Sequence, residues 1–306
     1  MSIARRLLLR ASRSAWLADQ LRRRAFVRRA VRRFMPGEEL VDALTAAATL
    51  GTSGIGTILT QLGENITSRA EADAVRDHYL GVLDQVHERN LPSQVSVKLT
   101  QLGLDVDRAA CEARLRALVA RAAEQRATLW IDMEDSSYTD VTLDTFKRMR
   151  AERGNVGVAL QAYLRRTPAD LEGLLPLAPT IRLVKGAYNE PASVAFPRKR
   201  DVDAQYYDLA GTLLAHTNRG TRPVFGTHDL GLIARIRARA AELGAPPGSF
   251  EVHMLYGIRT FEQRALAAQG IPVRVLVSYG RAWFAWYMRR LAERPANVWF
   301  ILRSLA

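Results

Sequence analysis

Cysteine is almost absent from this chain of 306 residues, which contains only Cys111. One thiol can form neither an internal disulfide nor a zinc site built from several cysteines. Long apolar runs are missing as well, because arginines interrupt every candidate near the amino terminus and no run approaches the ~20 residues of a membrane span. The Leu7–Leu9 patch is too short for a signal sequence. We expect a globular protein in a reducing compartment, the cytoplasm.

Lysine is also scarce, at positions 98, 147, 185 and 199 only, so each one retained is a candidate for a specific role. Acidic residues are nearly absent from residues 1–34, which contain eleven arginines and a single acid, Asp19. This segment therefore carries +10 of the formal net charge of +13. The remaining 272 residues are close to balanced. The basic character thus belongs to an amino-terminal arm rather than to the body of the protein.

The arm spaces its apolar residues roughly as a helix does, with arginines between them. Such a helix can lie on the anionic inner face of a membrane or contact phosphates. It can equally pack on the body or on a second subunit. We expect peripheral membrane contact through residues 1–34 and no specific nucleic acid. The predicted domains are a basic helical arm, 1–50, and a catalytic barrel, 51–306.

Eight short apolar segments alternate with helical segments, which predicts an α/β fold, a (β/α)₈ barrel preceded by amino-terminal helices. An open doubly wound sheet is the competitor, but no glycine-rich dinucleotide turn follows the first strand. The predicted strands are Thr57–Leu62, Val95–Leu99, Thr128–Met133, Val156–Ala162, Ile181–Lys185, Arg222–Gly226, Phe250–Met254 and Val273–Val277.

Polar side chains stand at nearly every strand end, where barrels place their chemistry. Charges that converge in this way cost desolvation unless they pair with each other or with a ligand. They are Glu64, Lys98, Asp132, Glu134, Gln161, Arg182, Lys185, Thr227, His228, Asp229, Glu251 and His253. Each of these residues alone can be a helix cap or a structural residue. A metal site formed by His228 and His253 is an alternative, and the protein would then be a metal-dependent lyase or hydrolase. Because the sequence contains no H-x-H or H-E-x-x-H pair, an organic cofactor is a stronger hypothesis than a metal site.

The chain resembles the flavin-dependent proline dehydrogenases, or proline oxidases, of the monofunctional bacterial type. The match runs in order over residues 57–305. Its motifs are Ser96-Val-Lys-Leu-Thr100 with Gly103, Ile131-Asp-Met-Glu-Asp-Ser136, Leu160-Gln-Ala-Tyr163, Arg182-Leu-Val-Lys-Gly-Ala-Tyr188, Phe225-Gly-Thr-His-Asp229, Phe250-Glu-Val-His-Met-Leu-Tyr-Gly257 and Tyr287-Met-Arg-Arg-Leu-Ala-Glu-Arg-Pro295.

The resemblance implies a distorted (β/α)₈ barrel that holds FAD, oxidises L-proline to 1-pyrroline-5-carboxylate and reduces a membrane quinone. Asp132 and Arg182 are then the catalytic residues, and Lys98, Arg289 and Arg290 hold the substrate carboxylate. The residues implied to contact FAD are Met133, Gln161, Arg182, Lys185, Gly186, Ala187, Thr227 and His228. The choice of FAD over FMN rests on the resemblance alone.

Two positions of the last strand depart from the family pattern. Leu276 stands where relatives often have a tyrosine that lines the substrate pocket, and Ser278 where they have a proline. Oxidation of 4-hydroxyproline or another cyclic amino acid is therefore an alternative function. A third hypothesis is an inert barrel whose basic arm binds nucleic acid or membrane.

Overall fold

Eight parallel strands pair in sequence order and close into a barrel, because β8 pairs with both β7 and β1. The computed structural model describes residues 31–63, 66–284 and 287. The strands are β1 (Gly56–Gln61), β2 (Ser93–Val97), β3 (Leu129–Ile131), β4 (Val156–Gln161), β5 (Thr180–Val184), β6 (Arg222–Gly226), β7 (Glu251–Leu255) and β8 (Val273–Tyr279). The predicted barrel is confirmed.

Among the elements that the structure describes, one helix lies directly before β1, and one follows each strand from β1 to β7. They are α1 (Leu40–Gly51), α2 (Arg69–Glu88), α3 (Arg108–Glu124), α4 (Thr139–Glu152), α5 (Thr167–Leu174), α6 (Lys199–Ala215), α7 (Leu230–Glu242) and α8 (Thr260–Ala268). The predicted start of α2 is confirmed, since Ser68 Oγ accepts a hydrogen bond from the Glu71 amide at 3.2 Å. Within the described part of the chain, no helix has the length and apolarity needed to cross a bilayer.

Side chains alternate between two environments along each strand, as the period of two requires. Val95 and Val97 of β2, for example, belong to the large core between the sheet and its helices. Ile58, Trp130 and Val224 instead form a small cluster inside the barrel. This inner face also carries polar residues, and their positions determine the candidate site.

Helix α1 packs against β1 and β8, and its buried Ala43, Leu44 and Ala47 belong to the main core. The predicted domain boundary at residue 50 therefore falls inside a helix that covers the barrel. Residues 1–30 of the predicted arm lie outside the described residues, so the division into arm and barrel stays a prediction.

The segment that leads into α1 contacts the loops at the carboxyl ends of β7 and β8. Trp283 Nε1 donates to Glu38 at 2.8 Å, and Arg281 pairs with Glu39 at 3.0 Å. A Cβ on Gly257 would overlap the Arg33 carbonyl, so this loop also lies directly against the segment. The arm thus joins the barrel at its carboxyl-terminal rim.

Gly157 of β4 leaves the space inside the barrel that the Trp130 indole fills. A Cβ at this position would lie 2.6 Å from Trp130 Cζ3. We expect Gly157→Ala to lower the free energy of unfolding by about 1–3 kcal/mol, because a packed interior tolerates extra volume poorly. Urea denaturation of the two proteins measures the difference.

Gly81→Ala is the matched control for Gly157→Ala. Gly81 lies within α2, and a Cβ there meets nothing within 4 Å. The alanine should raise the free energy of unfolding by roughly 0.5–1 kcal/mol, since glycine is a poor helix residue. Equal effects of the two substitutions would contradict the assigned contact between Gly157 and Trp130.

Candidate active site

Three strands bring Ser96, Asp132 and Arg182 together inside the carboxyl end of the barrel. Arg182 on β5 forms an ion pair with Asp132, which follows β3, and its Nη2 donates to Ser96 Oγ at 3.0 Å. Ser96 on β2 in turn donates to Asp132 Oδ1 at 2.7 Å. Only 6% of the Arg182 side chain is exposed, against 19% for Asp132. The two predicted catalytic residues are therefore one buried, hydrogen-bonded pair.

The Trp130 indole lies beneath Arg182 and supports it. The guanidinium carbon stands 4.9 Å from the centre of the ring, within the range of a cation–π contact. Trp130 Nε1 donates to Gln94 Oε1 at 2.6 Å, which fixes the ring plane. Burial lowers the pKa of Arg182 while Asp132 acts against that shift. The guanidinium remains charged at neutral pH, because arginine does not deprotonate in proteins.

A second ion pair lies deeper in the barrel. Glu251 accepts from Arg274 Nε at 2.9 Å and is 3.3 Å from His253 Nε2. Burial raises the pKa of Glu251, but the hydrogen bond from His253 and the charge of Arg274 outweigh it and bring that pKa to about 2. The sequence prediction placed Glu251 at a strand end facing the rim, and this is wrong. Glu251 is the first residue of β7, at the opposite end of the barrel.

Backbone and side-chain hydrogen bonds tie the loop after β3 to its neighbours. Gln161 Nε2 donates to the Glu134 carbonyl at 2.7 Å. The Glu134 carboxylate accepts from both the amide and the hydroxyl of Thr100, at 3.1 and 2.6 Å. Met133, between Asp132 and Glu134, is buried. Glu134 therefore holds two loops of the rim together, and Gln161 is fixed beside them.

Lys185 follows β5 and lies between two carboxylates. Its Nζ is 2.6 Å from Asp203 on α6 and 3.3 Å from Asp229, the residue that caps α7. Lys199 pairs with Asp203 from the other side. The side chain of Lys185 is 27% exposed, so the ammonium group is held in place yet open to the rim. The strand-end prediction included Asp229 but not Asp203, which lies on a helix.

Gly186 has a φ of +115°, a conformation that side-chain-bearing residues rarely adopt. A Cβ there would lie 2.2 Å from the Tyr163 ring, and the Tyr163 amide donates to the Lys185 carbonyl at 2.9 Å. The contact with Tyr163 by itself excludes a side chain at this position. The implied contact of Gly186 with FAD stays a prediction. Ala187 follows directly and is partly exposed.

His228 and Thr227 follow β6 at the rim. His228 Nε2 accepts a hydrogen bond from the Leu255 amide at 2.9 Å, so the proton of the neutral ring resides on Nδ1. Thr227 is buried, and its hydroxyl accepts from the Asp229 amide. The metal hypothesis paired His228 with His253, but both have protein partners at Nε2. Among the described residues no three metal-binding side chains cluster.

Lys98 directly follows β2, which places it at the same end of the barrel as Asp132. Its backbone amide donates to Gln101 Oε1 at 3.3 Å. Glu64, Arg289 and Arg290 lie outside the described residues, so their predicted roles stay predictions.

The residues that strand-end reasoning missed lie mostly on the inner face of the strands. They are Gln94, Ser96, Trp130, Asp203 and Arg274. A signal for part of this set exists in the sequence, since polar residues recur at every second position of β2, at 94, 96 and 98. In a buried strand that period indicates a polar inner face.

The rim has the donor chemistry that a flavin nucleotide requires. Arg182 and Lys185 supply positive charge, Gln161 and His228 supply hydrogen-bonding groups, and Arg182 Nη1 is buried without a partner among the described residues. Pyrophosphate carries negative charge, and the pyrimidine edge of a flavin gains it on reduction, so both are stabilised by such donors. The residues present therefore fit the predicted cofactor.

Comparison with known proteins identifies the family. The proline dehydrogenase family profile matches residues 43–303. The chain is 38% identical over 274 residues to proline dehydrogenase 1 of Bacillus subtilis strain 168, a match that covers 90% of each chain. It is 38% identical over 278 residues to proline dehydrogenase of Deinococcus radiodurans, covering 89% of each.

A solved structure supports the fold. Proline utilization A (PutA) of Bdellovibrio bacteriovorus, inactivated by N-propargylglycine, superposes with a TM-score of 0.80 at 24% identity. The match covers 87% of this chain and 32% of the PutA chain, so this chain corresponds to about a third of that protein. The profile match, the curated relatives and the barrel together show that the chain belongs to the proline dehydrogenase family.

Proposed function

We propose that this oxidoreductase of the proline dehydrogenase family oxidises L-proline to 1-pyrroline-5-carboxylate, uses FAD and passes the electrons to a membrane quinone. The observation that carries the proposal is the buried cluster of Arg182, Asp132 and Ser96 beneath a cationic rim. A charged pair sealed inside a barrel costs desolvation, and a ligand that uses its charge accounts for that cost.

The proposed FAD site uses both charged and uncharged groups of the rim. When bound, FAD supplies the acceptor for the hydride that leaves the proline ring. Lys185 and Arg182 provide positive charge, and a buried guanidinium stabilises negative charge far better than a solvated one. The residues that would hold the cofactor are Met133, Gln161, Arg182, Lys185, Gly186, Ala187, Thr227 and His228.

The proposed substrate site requires a carboxylate clamp and a neutral amine. Lys98, Arg289 and Arg290 would hold the carboxylate, and several cations around one anion fix the orientation of the ring before reaction. Asp132 and Arg182 would be the catalytic pair. Because the proline nitrogen must lose its proton before hydride can leave, turnover should increase with pH.

A second candidate substrate is 4-hydroxyproline. Leu276 of β8 packs on the inner cluster of Ile58, Trp130 and Val224 and offers no hydroxyl to the substrate. A pocket wall of this kind distinguishes ring substituents by shape rather than by a hydrogen bond. The ratio of kcat/KM for the two substrates decides between them.

The visible spectrum of the purified protein tests cofactor, chemistry and substrate together. We expect a flavin spectrum that L-proline bleaches without oxygen, while D-proline leaves it unchanged. 4-Hydroxyproline in a parallel cuvette tests the alternative substrate. Protein that takes up no FAD, or a bound flavin that neither amino acid reduces, would overturn the proposal. Acid extraction and chromatography of the bound flavin distinguish FAD from FMN.

The basic arm is proposed to bring the rim to the inner face of the membrane. The described segment 31–39 joins the barrel beside the loops after β7 and β8, so an arm bound to lipid would hold the rim near the bilayer. We expect faster quinone reduction in anionic bilayers than in detergent. In a variant lacking residues 1–30 that difference should vanish while reduction of a soluble dye is retained. Equal rates in both media would leave the arm as a packing element.

A further inference from the structure

We propose that His253 is a positioning residue for Arg182, with its Nδ1 linked to Arg182 Nη1 through one buried water. Glu251 would hold the imidazole from its other side. The inference deepens the proposed function, because the task of Arg182 at the flavin is itself proposed.

Two buried polar atoms of the barrel interior have no hydrogen-bond partner among the described residues. One is Arg182 Nη1, a donor, and the other is His253 Nδ1. His253 is 4% exposed, and Arg182 is 5% exposed. A buried polar group without a partner carries an uncompensated desolvation cost, so two complementary ones in the same interior favour a shared water.

Trp130 places the two groups in the same part of the barrel. The Arg182 guanidinium lies 4.9 Å from the centre of the indole, and the His253 ring meets the same indole edge-on with centroids 5.4 Å apart. Arg182 and His253 project inward from β5 and β7, and Gly226 of the intervening β6 has no side chain. A Cβ on Gly226 would lie 3.7 Å from Arg182 Cγ.

The tautomer of His253 suits an acceptor at Nδ1. Nε2 lies 3.3 Å from a Glu251 carboxylate oxygen, which can only accept, so the ring proton is on Nε2 and the Nδ1 lone pair is free to accept. Charge gives the same answer. The charged groups that act on the ring are Glu251, Arg182 and Arg274. Arg182 already pairs with Asp132 and Arg274 with Glu251, so a proton on His253 would add a positive charge without a counter-ion.

The acidity of the imidazole agrees with this arrangement. Burial lowers the pKa of His253 to about 4, although the hydrogen bond to Glu251 acts in the opposite direction. The ring is therefore neutral at pH 7. Asp132 and Ser96 hold Nη2 of Arg182, and His253 would hold Nη1, so the guanidinium plane is fixed from two sides.

Substitution of His253 separates this role from simple packing. Loss of a hydrogen bond to a charged group corresponds to about 10-fold or more in rate. We expect His253→Leu to lower the rate of flavin reduction by that factor with little change in the KM for proline. His253→Gln, whose amide can donate and accept, should recover most of the rate. Asn155→Leu is the control, because it removes hydrogen bonds to the Val119 and Ala127 carbonyls at the amino-terminal end of the barrel, away from Arg182. It should lower stability and leave the rate unchanged.

Nitrogen-15 NMR of histidine tests the contact without reference to turnover. The chain has five histidines, so the His253 signals are assigned by their loss in His253→Gln. We expect an unprotonated Nδ1 whose shift changes in Arg182→Met. A proton on Nδ1, or a shift that Arg182→Met does not alter, would overturn the proposal even if proline bleaches the flavin. Failure of the flavin assay with the NMR result intact would instead refute the proposed function.

Discussion

Arg182→Met is expected to lower the rate at which L-proline reduces the flavin by about 10²–10³-fold, the usual effect of removing a preorganised electrostatic group. The guanidinium has two partners of opposite character, the Asp132 carboxylate and the face of Trp130. Methionine fills much of the volume but carries neither charge nor donor. Asp132 would then remain partly buried without its counter-ion, an unfavourable state that adds to the loss. Anaerobic stopped-flow spectroscopy measures the rate.

Two further variants show whether the loss comes from charge, geometry or folding. Arg182→Lys keeps the charge but lacks the planar fork, so an intermediate rate is expected. Arg150→Met removes an arginine that donates to the backbone carbonyls of Gly154, Leu177 and Ala178, away from the site. It should lower stability and leave the rate unchanged. A normal rate in Arg182→Met, with flavin bound, would refute the catalytic assignment of Arg182.

The fold was predictable because each strand and its helix are encoded locally. Thr57–Leu62 and Val156–Ala162 were predicted as strands; the observed β1 is shifted by one residue at each end, and β4 ends one residue earlier. Short apolar segments between helical ones leave few alternatives to a closed parallel barrel once the dinucleotide turn is missing. The rim residues followed from the position of each strand end.

The contacts within the site were less predictable, because they join residues that are distant in sequence. Lys185 was predicted at the rim, but its partner Asp203 lies on α6 and Asp229 begins α7. Glu251 was misplaced because it is a charged residue of a strand, although the predicted strand Phe250–Met254 already puts it near the amino-terminal end. Trp130 falls inside the predicted strand Thr128–Met133, and its inward position depends on Gly157 of the next strand, a contact that the local sequence does not show.

Gly186→Ala is expected to weaken flavin binding by about 100-fold, because the backbone strain and the steric clash are each worth roughly 1–3 kcal/mol. The φ of +115° excludes a side chain on conformational grounds, and the Tyr163 ring occupies the place of the Cβ. Relief of either conflict would shift Lys185 and Ala187, the neighbours proposed to hold the cofactor. Titration of the purified variant with FAD, followed by fluorescence, measures the dissociation constant.

Two further variants distinguish the steric clash with Tyr163 from the backbone strain in Gly186→Ala. Gly54→Ala places a Cβ at another positive φ, +70°, where nothing lies within 4 Å, so it should cost stability but no flavin affinity. Tyr163→Ala combined with Gly186→Ala removes the clash and keeps the strain. If the contact with Tyr163 dominates, the double variant binds flavin more tightly than Gly186→Ala alone. If the backbone conformation dominates, the double variant and Gly186→Ala bind flavin equally well. Native flavin affinity in Gly186→Ala would show that this loop does not hold the cofactor.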